Sequence, residues 1–182
     1  MRVIAGEFRS RRLKSIPGDA TRPTPDRLRE TLFDILGPRI EGATFLDGYA
    51  GTGAVGMEAL SRGAAYAFFL EKNWAALETI RENLASLRVE RRATVVPGPV
   101  LLTLARHPAE IVFLDPPYNL ERECRAVLDL LAQAPPRLTV VQHSVRLALP
   151  EEQGPLRRTR AVRQGDNALS FYTPVNSPAG DA

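Results

Sequence analysis

Cysteine is almost absent from this chain of 182 residues, histidine occurs twice, and lysine is reduced to Lys14 and Lys72. The lone thiol, Cys124, permits neither an intrachain disulfide nor a thiolate metal cluster, and it fits a reducing cytoplasm. It reads as a small residue on a helix. His107 and His143 stand far apart with no spaced partner, so neither is assigned a metal or a base role, and no metal is expected. No apolar run reaches the roughly eighteen residues of a membrane span. The start, Met1-Arg2-Val3-Ile4-Ala5-Gly6, lacks the apolar core of a secretory signal. The length suits one substantial core with a small appendage.

What is present is arginine. The net charge is only +3, but its distribution is uneven. Arg2, Arg9, Arg11, Arg12 and Lys14 crowd the first residues against the single acid Glu7, with Phe8 interleaved. A second cluster, Arg157, Arg158, Arg160 and Arg163, lies towards the end. Arginine's planar fork suits phosphate oxygens and guanine edges, so both clusters read as possible phosphate contacts or as solvated surface.

The most informative stretch is Asp115-Pro116-Pro117-Tyr118, which follows the buried-strand pattern Glu110-Ile111-Val112-Phe113-Leu114. Two prolines in a row hold a rigid, extended corner. Such a corner can aim the Asp115 carboxylate and the Pro116 carbonyl at one point, with the Tyr118 ring beside them and Pro117 as the bracket. That arrangement suits a flat group bearing an NH2. The tetrapeptide resembles the signature of methyltransferases that modify exocyclic or amide nitrogens, among them enzymes acting on RNA, on adenine in DNA and on glutamine in protein.

Upstream, Thr44-Phe45-Leu46-Asp47 runs into Gly48-Tyr49-Ala50-Gly51-Thr52-Gly53 and then into a helix. Gly51 and Gly53 would let backbone approach a ligand closely, and Gly56 would let the helix pack tightly on a strand. Glu71 ends the next strand, where a carboxylate can grip a ribose diol. Formally, Gly51-x-Gly53-x-x-Gly56 with a later acid also fits a nicotinamide dinucleotide. Asp47 argues between the two ligands: a pyrophosphate would be repelled there, whereas the cationic sulfonium and amino group of S-adenosylmethionine would be attracted. Turn capping is the plain structural reading of Asp47.

Strand-like runs near 43–47, 66–70, 93–97, 110–115 and 137–142 alternate with helices starting near Gly53, Trp74, Val100 and Glu121. A further helix is expected from Thr24-Pro25-Asp26. This alternation implies a parallel sheet with helices on both faces. Runs 157–163 and 168–173, joined at Gln164-Gly165-Asp166-Asn167, predict an antiparallel hairpin. Arg2–Ala5 against Arg12–Ile16, with Gly6 at the bend, predicts another at the start. The expected organisation is a basic β-hairpin extension over 1–20, an α/β Rossmann-like domain over 21–175 with seven strands, and a disordered tail over 176–182. Asp47, Glu71 and Asp115 all fall at strand carboxyl ends, where such sheets bind ligands.

Three blocks together make a closer likeness: Arg22-Pro23-Thr24 with Asp26-Arg27-x-Arg29-Glu30-Thr31-Leu32-Phe33; Asp47 through Gly56 to Glu58-Ala59-Leu60-Ser61-Arg62-Gly63-Ala64; and Asp115-Pro116-Pro117-Tyr118. They resemble the RsmD family, class I methyltransferases that use S-adenosylmethionine to methylate the exocyclic N2 of a guanine in 16S ribosomal RNA, guanine 966 in the family's numbering. The resemblance implies a cofactor lying over Asp47, Tyr49, Gly51, Thr52 and Gly53, with Glu71 and Lys72 at its ribose and Val100 beyond. It puts Thr24 and Arg22 at the mouth and adds Arg22 and Arg27 to Arg2, Arg9, Arg11, Arg12 and Lys14 as RNA contacts. It implies 16S ribosomal RNA, within a small-subunit assembly intermediate, as the partner. There is one departure. Related enzymes often carry Asp or Asn after the third strand, bonding the adenine amine, whereas this chain has Gly98-Pro99-Val100.

Overall fold

A computed structural model describes residues 1–16, 26–117 and 121–175. Helix α1 (Asp26–Leu36) precedes an alternation of β1 (Thr44–Gly48), α2 (Ala54–Ser61), β2 (Tyr66–Glu71), α3 (Trp74–Leu87), β3 (Ala93–Pro97), α4 (Val100–Thr103), β4 (Ile111–Leu114), α5 (Glu121–Gln133) and β5 (Leu138–Ser144). Strands β6 (Glu152–Gln153), β7 (Leu156–Gln164) and β8 (Asn167–Pro174) complete one sheet in the order β3-β2-β1-β4-β5-β8-β7-β6. The first five are parallel and β8 is antiparallel to both β5 and β7. The expected class I arrangement is thus present, with one addition. The two-residue β6 pairs with Leu156 and Arg157 at the outer edge, a polar segment too short to carry any alternation that sequence could reveal.

The apolar pattern explains the layers. In β4 every residue is buried, and alternate side chains go to opposite faces. Ile111 and Phe113 join α1 and α2, while Val112 and Leu114 join α4 and α5. Helix α5 buries Cys124, Val127, Leu128 and Leu131, the spacing of one helical face. Burial drives the Cys124 thiol up to about 11, helped by nearby Glu123, so this cysteine is an inert core residue. Both histidines are engaged: His107 Nδ1 lies 2.9 Å from the Thr103 carbonyl, and His143 Nε2 lies 2.9 Å from Ser170 Oγ.

The opening segment pairs less than predicted. Val3 N donates to Arg11 O (3.0 Å) and Leu13 N to Met1 O (3.0 Å), around a single Arg2–Arg12 bridge. Beyond Val3 the backbone donors turn to α2 instead. Ile4 N and Ala5 N donate to the Glu58 carboxylate at 2.8 and 3.0 Å, and Glu7 N donates to Ser61 O at 2.7 Å. Gly6 makes this possible, since its φ is +80° and a Cβ there would sit 1.9 Å from Ser61 O. Val3, Phe8 and Leu13 are buried among Met57, Leu60, Ile80 and Leu84.

Candidate active site

The order in which strands are added reverses between β1, which continues to β2 and β3, and β4, which leads the other way. Ligands in such sheets bind at that switch point, beyond the strands' carboxyl ends. Here it opens into a cavity of about 820 Å³.

The floor is the β1–α2 turn. Asp115 N donates to Gly48 O at 3.2 Å, which sets β4's corner against β1's exit. Tyr49 follows with a φ of 63°, an uncommon conformation for a side chain with a Cβ. Its hydroxyl donates to Glu123 Oε1 at 2.7 Å, and burial plus that carboxylate raise its pKa. Gly51 also has a positive φ, +54°, with open space where a Cβ would point. Gly53 differs. Its φ is +76°, and a Cβ there would meet Met57, Ile80 and Phe69 at 3.0–3.2 Å, so its freedom serves the helix entry and the core rather than the cavity wall. Gly56 behaves as expected: a Cβ would lie 2.4 Å from the Phe69 ring.

Asp47 is 1% exposed and its Oδ2 accepts from Gly56 N at 2.8 Å. Desolvation raises its pKa well above the usual carboxylate value, and the neighbouring charges of Asp115 and Glu71 push the same way against the Gly56 bond. Capping and cavity lining are therefore one arrangement. The carboxylate occupies the helix-terminus amide where a dinucleotide's pyrophosphate would seek donors, and it puts negative charge in its place. Glu71 is held by three backbone donors: Gly51 N at 2.9 Å on Oε2, with Lys72 N and Asn73 N at 2.8 Å on Oε1.

Of the residues singled out from sequence, Asp47, Tyr49, Gly51, Thr52, Glu71, Lys72, Val100, Asp115, Pro116 and Pro117 all line this cavity. Gly53 lies behind the wall. Tyr118, Arg22 and Thr24 fall outside the described residues. Among the described residues, no arginine lines the cavity. Arg2, Arg9, Arg12 and Arg27 are exposed on the surface, Arg11 Nη2 donates to Ser86 O at 2.8 Å, and Lys14 pairs with Glu82 at 3.1 Å. What sequence reasoning missed is that Met1, Ser15 and Ile16 of the same segment form part of the wall, with Asn73, Leu101 and Glu123. No local motif announces those positions, because packing of separate elements brings them together.

A five-strand parallel sheet with an inserted antiparallel strand, an acid at the end of β1, a backbone-held acid at the end of β2 and Asp-Pro-Pro at the end of β4 define a class I methyltransferase with S-adenosylmethionine as cofactor. The chain, whose residues 1–173 match the family described as Conserved hypothetical protein 95, belongs to that family, the RsmD methyltransferases. It is similar to ribosomal RNA small subunit methyltransferase D of Escherichia coli, 40% identical over all of this chain and 94% of that protein. YlbH of Bacillus subtilis is 34% identical over 94% of this chain and 98% of its own length. The solved structure of Escherichia coli yhhF superposes with a TM-score of 0.84 at 34% identity, covering 96% of this chain and 97% of that one.

The residues present fit the cofactor. The buried, unneutralised Asp47 suits a cationic group, the backbone-fixed Glu71 carboxylate suits a diol, and Pro99, Val100 and Leu101 give an apolar flank.

Proposed function

We propose that the protein transfers a methyl group from S-adenosylmethionine to the exocyclic N2 of a guanine in 16S ribosomal RNA, at the family's position 966. The observation that carries this reading is the shared cavity of Asp115, Pro116 and Pro117 with the cofactor residues Asp47 and Glu71. The sulfonium methyl is already a good electrophile, so the protein's part is alignment. Well-oriented reactants can gain effective molarities on the order of 10⁵ M. The amine's lone pair is delocalised into the guanine ring. Acceptance of its hydrogens by the Asp115 carboxylate and the Pro116 carbonyl draws the nitrogen towards a nucleophilic, tetrahedral form. Tyr118 stacks on the base, a contact of about 1–3 kcal/mol.

An unpaired or looped base is the cheaper target, because it need not be pulled from a stacked duplex. Arg2, Arg9, Arg11, Arg12, Lys14, Arg22 and Arg27 then serve the phosphates. Trp74, 71% exposed beside Lys72 with the Arg81 guanidinium 5.8 Å from its ring centre, offers a further stacking surface. The cytoplasm, and an assembling small subunit, are the setting this substrate implies. Support comes from relatives named as small-subunit ribosomal RNA methyltransferases and from a family match that spans the proposed catalytic tetrapeptide.

The test is to incubate the protein with unmodified small-subunit RNA or particles and labelled cofactor, and to map the product by mass spectrometry. A methyl on a guanine N2 is expected; a methyl on adenine would end the substrate claim. Asp115→Ala should lower transfer by about 10²-fold or more, the scale for removing a group that acts on the reacting atoms, with S-adenosylhomocysteine affinity nearly intact.

A further inference from the structure

The loop after β3 offers no side-chain acceptor for the cofactor's adenine amine, because it reads Gly98-Pro99. Its backbone is largely committed too. Gly98 N donates to Glu71 O at 2.9 Å, and the Pro99 carbonyl accepts from Leu102 N and from Thr103 Oγ1, both at 3.0 Å. An adenine held there by apolar contacts alone would leave its NH2 without an acceptor, a costly state in a closed pocket. The missing group has to come from another wall.

Helix α4 packs against α5, and α5's first turn carries Glu123 into the same cavity that Pro99, Val100 and Leu101 line. Glu123 is oriented rather than loose. The Tyr49 hydroxyl donates to Oε1 at 2.7 Å, and Tyr49 is itself fixed in its positive-φ conformation. One oxygen is thereby engaged, and the other, Oε2, remains as an acceptor on a carboxylate that lines the cavity. We propose that Glu123 accepts a hydrogen bond from the exocyclic amine of the cofactor's adenine, so that this chain reads the base from α5 instead of from the loop after β3. Tyr49 is then a positioning residue, and Glu123 is a determinant of adenine over hypoxanthine. A carboxylate favours an NH2 and disfavours the carbonyl oxygen that hypoxanthine puts in the same place.

The experiment is calorimetric titration of S-adenosylhomocysteine and S-inosylhomocysteine into the wild type, Glu123→Leu, Glu123→Gln and Tyr49→Phe. The wild type should prefer the adenosine compound by about tenfold or more, the scale of a charge-assisted hydrogen bond. Glu123→Leu should lose most of that preference. Glu123→Gln, whose amide can turn to meet either base, should narrow it while keeping the shape of the wall. Tyr49→Phe should keep the preference and weaken both ligands modestly. An unchanged preference in both Glu123 variants would overturn the proposal, and so would equal weakening of the two ligands, which would give Glu123 only a role in holding Tyr49. If Glu123→Leu fails to fold, Glu123→Gln alone decides between these outcomes.

Discussion

Two carboxylates of this protein are almost completely withdrawn from water, Asp47 at the end of β1 and Glu58 in α2, and they are treated in opposite ways. Glu58 is surrounded by donors and cations. It accepts from Ile4 N and Ala5 N, pairs with Arg62 Nε at 2.8 Å, and lies 3.8 Å from Nε of the fully buried Arg29. Arg29 in turn donates to the Arg2 carbonyl at 2.7 Å and to Asp26 at 3.0 Å. Asp47 has one backbone amide and, nearby, two more acids. A charge buried with its partners ties elements together. A charge buried without them costs free energy that an incoming cation can recover. The first region holds the opening segment onto α2, and the second is prepared for a ligand.

The contrast can be broken most forcefully at Glu58. Glu58→Gln leaves the buried Arg29 guanidinium with the exposed Asp26 carboxylate as counter-charge and the Arg2 carbonyl as acceptor, so about 3–5 kcal/mol of stability should be lost. Urea unfolding followed by circular dichroism measures this, and a loss under about 1 kcal/mol would mean that the cluster is not what holds the segment down. Asp47→Asn should do the reverse. An amide oxygen can still accept from Gly56 N, so stability at neutral pH should stay level or rise. Affinity for S-adenosylmethionine should fall by about tenfold, more than for S-adenosylhomocysteine, which lacks the sulfonium charge. Equal losses for both ligands would remove the sulfonium from the account.

The same residue predicts a pH dependence. A carboxyl whose folded pKa stands above its unfolded value contributes stability that is present below the unfolded pKa and lost as pH rises through the folded one. A cationic ligand favours the ionised form, so S-adenosylmethionine affinity in the wild type should climb as pH rises towards the raised pKa, and binding there should release a proton. Titrations in buffers of different ionisation enthalpy detect that proton, and Asp47→Asn should abolish it. The smallest effects belong to the surface. Arg9→Ala and Arg12→Ala should each lower the salt dependence of RNA binding by about one unit of slope and leave stability within about 0.5 kcal/mol.

Much of this was legible in the sequence because the signals are local. Four residues of solid apolar character before Asp115, or glycines between Asp47 and a helix, mean the same thing wherever they occur. The ten cavity residues read in advance lie on such segments. The buried ion cluster was not legible: Arg29 and Glu58 sit in helices where a charge normally faces water, and only the meeting of α1, α2 and the opening segment encloses them. Glu123 escaped notice for the same reason, being one of two acids in the opening turn of α5. The predicted hairpin over 2–16 was half right, since sequence shows which backbone groups need partners but not that α2 will supply them.

Met1, Ser15 and Ile16 complete a wall whose supporting helices α2 and α3 end at Ser61 and Leu87. On the ribosome that stretch emerges well before the surfaces it rests on. A stretch made before α2 and α3 must therefore wait, and the binding chamber for the methyl donor closes only after a good part of the sheet exists. An enzyme built this way sets an early-made segment in place as its last architectural step, so a nascent fragment ending before α3 should carry the glycine turn and yet bind no cofactor.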